Sequence, residues 1–376
     1  MTYDVIVVGA GAMGAAAASQ LAARGLRVLG LERFPLGHAF GSSHGLSRII
    51  RLAYFEHPAY VPLLRRAFAL WRELEAATGE TLLHVTGSLD VGHETSAVFA
   101  GSRRCCEAHD LPHEVLDAPR LARRFPAWRA PDAFKAVWQP DGGFLLSERC
   151  IEAFAARARG LGAEIRTDEP VREWDASPGS VRVRTGRGSY VARQLVLAGG
   201  SWMGTLAPPL ARLLTVERQV VGWFAVAQPA RFGPPAFPVF VLDADEGRFY
   251  GFPEFGVPGF KIGKYHHRGE QVDPDAFDRT CGPEDERVLR EAVGRYFPAA
   301  DGALLQSAGC LFTNTPDEHF VIDRHPDVPE VLLVSACSGH GFKFASVIGE
   351  IVADLVERGE TRHDTSLFRL NRFAAG

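Results

Sequence analysis

Two arginines and two lysines occupy positions where a fixed positive charge could bind a carboxylate. Arg48 and Arg51 lie three residues apart, so a helix or a turn would bring both side chains to one side. The planar fork of arginine suits a carboxylate, although two solvated surface arginines are the ordinary interpretation of such a pair. Lys261 lies in an alternating, largely apolar stretch, and Lys343 in a glycine-rich turn, where an exposed side chain is again the ordinary interpretation. The four cations indicate a site only if the fold brings them together.

A glycine-rich segment near the start of the chain points to dinucleotide binding. It follows a short apolar run typical of a buried parallel strand and precedes an alanine-rich helix. Gly9 would allow the tight turn, Gly11 the close approach of a pyrophosphate, and Gly14 the packing of helix against strand. Glu32 ends the next predicted strand, where it could accept a hydrogen bond from a ribose hydroxyl. The motif alone does not choose between NAD and FAD, but its place at the start of the chain favours FAD by analogy with flavoenzymes.

Composition excludes several classes of function. The chain has 376 residues and a net charge of −4, so its charge balance does not suggest a nucleic-acid partner. No apolar run reaches the roughly 18 residues that cross a bilayer, and the first residues lack the pattern of a signal peptide. We therefore expect no membrane association and a cytoplasmic location. The six cysteines contain no C-x-x-C pair, which favours scattered buried thiols over disulfides or a metal site, and no metal is expected.

The pattern of elements predicts an α/β fold with two interleaved domains. Strand and helix signals recur at residues 5–31, 151–198 and 331–358, and the strand at 194–198 ends at Gly199. Residues 215–270 instead combine aromatics, prolines and glycines with short apolar runs, which favours antiparallel strands. The expectation is a Rossmann-like nucleotide-binding domain and a mixed or antiparallel-sheet substrate domain. The first comprises residues 1–82, 147–214 and 313–376, and the second comprises residues 83–146 and 215–312.

Several segments together carry a resemblance to a known family. They are residues 9–14, 41–51, 250–253, 260–264, 310–320 and 338–344, and they occur in the same order and at similar spacing. On these segments the chain resembles the monomeric sarcosine oxidase and N-methyl-L-tryptophan oxidase family, a branch of the D-amino-acid-oxidase-like flavoproteins. The resemblance covers essentially the whole chain. It implies a glutathione-reductase-like fold of the D-amino-acid-oxidase type with bound FAD.

The resemblance also assigns roles to the charged residues. It implies that Arg51 and Lys343 bind a substrate carboxylate and that Arg48 lies close to the flavin. Lys261 would lie above the flavin and activate dioxygen, since a fixed positive charge stabilises the charge that develops on oxygen. Cys310, which on residue type alone is an ordinary buried thiol, would form a thioether to the flavin ring and should therefore occupy an electropositive site.

Weaker assignments concern the substrate pocket and the remaining cofactor contacts. Tyr250 and His266 are candidates for the catalytic part of the pocket, and Tyr54 and Phe312 for its aromatic wall. The segment around His266 is one residue longer than the family pattern, so which of two adjacent histidines corresponds stays open. Further cofactor contacts are implied at Arg33, Ser42, His44, Gly199, Gly339 and Gly341.

The expected activity is the FAD-dependent oxidation of the N-alkyl C–N bond of a secondary amino acid such as sarcosine. Hydride-equivalent transfer to the flavin would be followed by reduction of dioxygen to hydrogen peroxide. The alternatives are a cyclic imino acid (pipecolate or proline) or glycine as substrate on the same scaffold, and a NAD(P)-dependent dehydrogenase. The partners would be a small amino acid and dioxygen, and the chain would be a monomer. Ser43 and Leu46 depart from the family pattern, which leaves the substrate's side chain open.

Overall fold

The computed structural model describes residues 2–373 of the chain. Within this range the chain forms nineteen β-strands and eight α-helices. In chain order the strands are β1 (Thr2–Val8), β2 (Val28–Leu31), β3 (Ser47–Ile50), β4 (Leu83–Val85), β5 (Ser88–His93), β6 (Glu114–Asp117), β7 (Phe134–Gln139), β8 (Gly143–Leu146), β9 (Glu164–Arg166), β10 (Val171–Ser177), β11 (Ser180–Thr185), β12 (Ser189–Leu197), β13 (Thr215–Phe224), β14 (Val239–Ala244), β15 (Gly247–Phe252), β16 (Phe260–Lys264), β17 (Leu304–Asn314), β18 (Val321–His325) and β19 (Val328–Ser335). The helices are α1 (Ala12–Ala23), α2 (Tyr60–Thr78), α3 (Ala97–Ala108), α4 (Ala118–Arg124), α5 (Ser147–Gly160), α6 (Met203–Leu206), α7 (Pro283–Tyr296) and α8 (Ala345–Arg358).

The first sheet carries the glycine motif at its centre. Strand β1 lies between β12 and β2 in parallel register, and β9 continues the parallel part beyond β2. On its other side, the end of β12 pairs in parallel with β19. Strands β10 and β11 form an antiparallel hairpin next to the start of β12, and β18 pairs antiparallel with β19. The carboxyl ends of β1, β2, β12 and β19 therefore lie along one edge, where α/β sheets bind ligands.

Helices α1, α5 and α8 cover this sheet through a shared apolar core. The alanines of α1 make a close approach possible, since Ala15 and Ala16 are fully buried. A Cβ added at Gly349 of α8 would lie 2.7 Å from the backbone of Ala16. The two helices thus meet backbone to backbone, and this contact fixes the helix that begins at the glycine motif.

The second sheet has eight strands in the order β17-β13-β16-β15-β14-β5-β7-β6. All neighbouring pairs are antiparallel except β14 and β5, which run in parallel. One face packs on α7 around an aromatic core that includes Phe224, Phe237, Phe240, Phe260 and Phe297. A small sheet of β3, β8 and β4 lies apart from these two and carries Arg48.

The predicted fold class is confirmed, with a Rossmann-like sheet and a mainly antiparallel sheet built from alternating parts of the chain. The first sheet takes its strands from residues 2–31, 164–197 and 321–335, and the second from residues 88–139 and 215–314. The domain boundaries given above stay a prediction.

Candidate active site

The glycine motif forms a tight turn between β1 and α1. Gly9 has φ +90°, and a Cβ there would collide with the carbonyl of Ala198 at the end of β12. A Cβ at Gly14 would collide with the carbonyl of Gly9, so Gly14 serves the packing of helix on strand and does not face the cavity. Gly11 has nothing within 4 Å of its missing Cβ and lines the cavity beside the start of α1. The turn therefore presents bare backbone and a helix N-terminus to a ligand.

Glu32 is buried directly beyond β2, against this turn. Its carboxylate accepts hydrogen bonds from the backbone N–H of Ala10 at 2.7 Å and of Phe34 at 3.0 Å. Burial raises the pKa of Glu32, and the two N–H donors oppose that rise. Arg33 also lines the cavity, where its guanidinium pairs with Asp275 at 2.7 Å. Glu32 and the glycine turn that it binds therefore lie together at one end of the cavity, which we call the dinucleotide end.

A cavity of about 400 Å³ extends from the glycine turn across the molecule. Gly199, Ser42, Gly339 and Gly341 line it, as the sequence predicts for cofactor contacts. His44 is not among its lining residues, because its imidazole donates to the carbonyl of Gly309 at 3.0 Å. The same cavity reaches Arg51 and Lys343, so a single space joins both predicted ends of the site.

Cys310 lines the middle of this cavity and lies on β17. Burial raises the pKa of its thiol, and the positive charges of Arg48 and Lys261 act in the opposite direction. The electropositive surroundings expected for this cysteine are therefore present. Its attachment to flavin stays a prediction.

Arg48 and Lys261 both bind the backbone of the turn that leads into β3. Arg48 lines the cavity and donates to the carbonyl oxygens of Ser42, His44 and Ser47. Lys261 is only 2% exposed, and its Nζ donates to Gly45 O at 2.5 Å, Ser47 O at 3.0 Å and Ser47 Oγ at 2.9 Å. Burial lowers the pKa of Lys261 well below its ordinary value. Lys261 does not line the cavity, so the structure places it behind the turn.

Arg51 is a buried arginine at the far end of the cavity. One terminal nitrogen donates to both carboxylate oxygens of Glu56 at 2.9 Å, and the other donates to Ala53 O. The guanidinium lies 4.7 Å from the ring centres of Tyr54 and Phe55. Although burial opposes it, the charge of Glu56 keeps the pKa of Arg51 above its ordinary value. Arg51 is therefore permanently charged at this end of the cavity.

Lys343 faces the same space and begins a short chain of hydrogen bonds. Its Nζ donates to His340 O at 2.6 Å and to Tyr54 Oη at 3.5 Å. The Tyr54 hydroxyl contacts His340 Nδ1 at 2.6 Å, and His340 Nε2 donates to Glu318 O at 2.9 Å. Burial lowers the pKa of Lys343 to about 7 and that of His340 to about 4. A neutral His340 with its proton on Nε2 fits both of its contacts.

These contacts revise two sequence-based assignments. Tyr54 does not line the cavity; it is fully buried behind Lys343 and His340 and positions them. His340 itself lines the cavity, and the sequence analysis did not single it out. The sequence does indicate this residue indirectly, because His340 lies in the Gly339–Lys343 turn between two glycines that also line the cavity.

Aromatic rings form the remaining wall. Tyr250 and Phe312 line the cavity as predicted, and a Cβ at Gly339 would lie 2.7 Å from the Phe312 ring. Tyr265 lines it as well, with its ring centre 5.3 Å from that of Tyr250 and 5.8 Å from that of Phe312. The structure does not bring His266 to the cavity.

His266 adopts a left-handed backbone with φ 52°, which turns the chain away after Tyr265. Its imidazole is half exposed and binds Glu217 at 2.7 Å and Glu318 at 3.0 Å. These two carboxylates, Glu318 first, raise its pKa to about 9. The next histidine, His267, is buried against Asp285 at 3.1 Å. The structure therefore places the tyrosine of this segment, and neither histidine, in the pocket.

Comparison with known proteins gives a consistent result. Residues 4–355 match the family described as FAD dependent oxidoreductase. The chain is 42% identical over 377 residues to a monomeric sarcosine oxidase of Bacillus sp. (strain NS-129), covering 99% of this chain and 97% of that protein. It is 34% identical to the N-methyl-L-tryptophan oxidase of Yersinia pestis (strain Pestoides F), covering 99% of this chain and all of that protein.

The chain belongs to the FAD-dependent oxidoreductase family. Among solved structures, NikD, described as an unusual amino acid oxidase, superposes with a TM-score of 0.85 at 28% identity, covering 98% of this chain and 97% of that chain. An L-proline dehydrogenase from P. horikoshii also reaches a TM-score of 0.85, at 22% identity and with 99% and 98% coverage, and shows the shared fold. The predicted recognition, the FAD cofactor and the class of enzyme are confirmed, and the NAD(P) alternative is dropped.

The residues of this flavoenzyme fit FAD. Gly11 leaves the backbone open to a pyrophosphate, and the cavity continues past Cys310 to the two buried cations. Among residues 2–373, no helix is both long and apolar enough to cross a membrane. Within the same range, no group of three or more His, Cys, Asp or Glu side chains could hold a metal ion.

Proposed function

We propose that this flavoenzyme oxidises the N-alkyl carbon–nitrogen bond of a secondary amino acid, with sarcosine or another N-methyl amino acid as substrate. The observation that carries the proposal is the pair of buried cations, Arg51 and Lys343, at one end of the cavity whose other end holds the glycine turn. Two cations around one anion suit a substrate carboxylate, since each cation alone is costly to bury. The names of the relatives support the same substrate class.

Arg51 would take the carboxylate by exchange. Its terminal nitrogen already holds the carboxylate of Glu56, which lies on the loop after β3 and is 12% exposed. An arriving substrate carboxylate offers the same two acceptors, and Glu56 can turn towards water. One carboxylate replaces another, so the net charge around the guanidinium does not change. The carboxylate fixes the substrate at this end and leaves its N-alkyl group directed along the cavity.

Lys343 would supply the second contact. With a pKa near 7, its Nζ is only partly protonated when the cavity holds no anion, and a bound carboxylate favours the protonated form. Tyr54 and His340 fix the position of this amine through the hydrogen bonds described above. The pair of cations therefore selects an amino acid over a simple amine.

The aromatic wall would keep water away from the reacting carbon. Tyr250, Tyr265 and Phe312 surround this part of the cavity with ring surface. FAD, when bound, supplies the ring that accepts the electron pair and the hydrogen of the substrate C–H bond. Overall, an N-methyl amino acid, dioxygen and water give the amino acid, formaldehyde and hydrogen peroxide. No side chain has to act as a strong base, because the amine reacts in its neutral form.

Lys261 and Cys310 have further proposed roles. Lys261 donates to three oxygens behind the turn, and in its protonated form it would place a buried positive charge near Arg48, although burial lowers its pKa. Such a charge favours electron transfer to dioxygen. For Cys310 we propose a covalent thioether to the flavin, supported by its place in the cavity beside Arg48 and Lys261. Acid precipitation tests the attachment, since a yellow pellet retains covalent flavin and a yellow supernatant contradicts it.

The decisive experiment mixes the purified yellow protein with substrates in the absence of oxygen. Sarcosine or another N-methyl amino acid should bleach the flavin absorbance, and admission of oxygen should restore it with one peroxide and one formaldehyde per turnover. Bleaching only by proline or pipecolate would contradict the proposal and support the cyclic imino acid alternative. Glycine serves as the comparison that has the carboxylate but no N-alkyl carbon. We also propose that the enzyme is a cytoplasmic monomer, which gel filtration and cell fractionation test.

A further inference from the structure

Asp90 is a buried acid that the proposed mechanism does not use. It lies in the middle of β5 and is completely buried. Within residues 2–373, neither carboxylate oxygen accepts a well-formed hydrogen bond, although the Ser102 hydroxyl lies beside the carboxylate. Burial raises the pKa of Asp90 to about 6, and the positive charge of Arg51 and the Ser102 hydroxyl oppose that rise. An acid kept in such a place with so little hydrogen bonding needs a reason, because its desolvation is costly.

The group nearest to Asp90 that explains it is Arg51. Asp90 Oδ1 lies 3.9 Å from Arg51 Nε, whereas Glu56 binds one of the two terminal nitrogens. Asp90 does not line the cavity, so it cannot touch the substrate. It can act on the substrate only through the arginine.

Asp90 and Glu56 differ in how freely they can move. Strand β5 is paired on both sides, with β14 and with β7, and the side chains next to Asp90, Leu89 and Val91, are fixed in the aromatic core. Glu56 instead lies on a loop with part of its side chain exposed. Of the two acids on Arg51, one lies in a sheet paired on both sides and the other lies on a loop that reaches solvent.

We propose that Asp90 is a positioning residue for Arg51: its charge, 3.9 Å from Nε, keeps the guanidinium in place while the substrate carboxylate replaces Glu56 at the terminal nitrogen. This inference rests on the proposed function. Without a fixed acid, a guanidinium that loses Glu56 would keep, among residues 2–373, only the carbonyl of Ala53 as a hydrogen-bond partner, beside the rings of Tyr54 and Phe55. Asp90 also attracts Arg51 away from Glu56, and this attraction makes the exchange of carboxylates easier.

The test measures the binding of a carboxylate to the flavin-containing enzyme without turnover. Methoxyacetate has the shape of sarcosine but no amine to oxidise, and its binding is followed as a perturbation of the flavin absorbance. Asp90→Asn should weaken its Kd about tenfold, since the variant removes the fixed charge and leaves Glu56 in place. The KM for the carboxylate substrate should rise by a similar factor, while the rate of flavin bleaching at saturation stays within about twofold.

Two comparisons separate positioning from a general disturbance. Ser88→Ala changes another buried polar residue of β5, two positions away, and should leave Kd unchanged. Methoxyacetamide lacks the negative charge. Asp90→Asn should therefore change the Kd for methoxyacetamide far less than the Kd for methoxyacetate. A variant that weakened both ligands equally would indicate a structural defect and overturn the proposal. Asp90→Ser provides a second neutral variant should the asparagine variant fail to fold.

The remaining outcomes separate this inference from the proposed function. Failure of the wild type to bind methoxyacetate at all would refute the carboxylate site itself. Wild-type binding with an unchanged Kd in Asp90→Asn would refute only the role of Asp90. Tighter binding in Asp90→Asn would show that Asp90 competes with the substrate as Glu56 does, and this result would also overturn the proposal. Glu56→Gln should strengthen binding, opposite to the effect expected for Asp90→Asn.

Discussion

The two ends of the cavity are built in different ways. The dinucleotide end consists of backbone: a glycine turn, the N-terminus of α1 and the carboxyl ends of parallel strands. The carboxylate end consists of buried side chains, Arg51, Lys343 and His340, which other side chains hold in place. Backbone geometry follows from short stretches of sequence, whereas a cluster of buried charges depends on residues that only the complete fold brings together. The following predictions test this difference, from the largest expected effect to the smallest.

The largest effect is expected at the dinucleotide end. A valine at Gly14 would force its side chain into the carbonyl of Gly9, so Gly14→Val should abolish FAD binding or prevent folding. The measurement is the ratio of flavin absorbance to protein absorbance after purification. Gly160→Ala is the matched control, because its Cβ would meet nothing within 4 Å. A Gly14→Val protein with full flavin content would contradict the role given to this turn.

At the carboxylate end, loss of one cation should reduce activity and leave the cofactor in place. Arg51→Gln should lower kcat/KM for the amino acid substrate by about 100-fold, since a hydrogen bond to a charged group contributes about 1.5–3 kcal/mol and the glutamine also leaves Glu56 unpaired. Flavin content should match the wild type. Arg103→Gln, an exposed arginine of α3, should change neither quantity. Loss of flavin in Arg51→Gln would show that the two ends are not independent.

Lys343 should make carboxylate binding depend on pH. Its pKa is lowered to about 7 by burial, so the charged form predominates below pH 7 and is lost above it. The Kd for methoxyacetate should therefore rise as the pH passes from 6 to 8, while His340, with a pKa near 4, stays neutral throughout. In Lys343→Met the rise of Kd with pH should disappear, and only the opposite, weaker dependence expected from Asp90, with its pKa of about 6, should remain. A Kd that still rises with pH in that variant would assign the titration to another group.

The smallest effects concern Tyr265 and His266. Tyr265→Phe should change KM by a few-fold, because only a hydroxyl in the pocket is lost, whereas His266→Ala should leave KM unchanged.

His266 should also make stability depend on pH, because its pKa is raised to about 9. The protonated imidazole stabilises the fold fully below pH 6.5, and this contribution is lost as the pH rises through 9. Because the side chain is half exposed, the loss should stay below about 1 kcal/mol. Thermal unfolding of the wild type and of His266→Ala at pH 6 and pH 10 measures this loss of stability. A change in KM for His266→Ala would contradict the position of His266 outside the cavity.

Much of the fold could be predicted because its signals are local. The strand and helix signals at residues 5–31, 151–198 and 331–358 coincide with β1 to β2, with α5 to β12 and with β19 to α8. The glycine turn needed only the strand before it and the helix after it. Arg51, Lys343 and Phe312 could be assigned only through the resemblance, since an arginine or a lysine is ordinarily exposed.

The remaining features depended on contacts that a single sequence does not reveal. Tyr265 replaced His266 in the pocket because one additional residue and a left-handed turn changed which side chain faces inward. Tyr54 appeared to be a pocket aromatic, but it lies behind the two residues that form the surface. Asp90 is close to Arg51 only because β5 passes beneath it, and a lone acid in an apolar strand gives no such indication.

The arrangement of β1 has a consequence for how the protein is made. This strand is synthesised before its partners, since β12 comes nearly 200 residues later and β19, which completes the FAD edge, more than 300 residues later. At roughly 5–20 residues per second, synthesis leaves β1 waiting for about 15 seconds to a minute before that edge can close. Cofactor capture must then be a late, largely post-translational event.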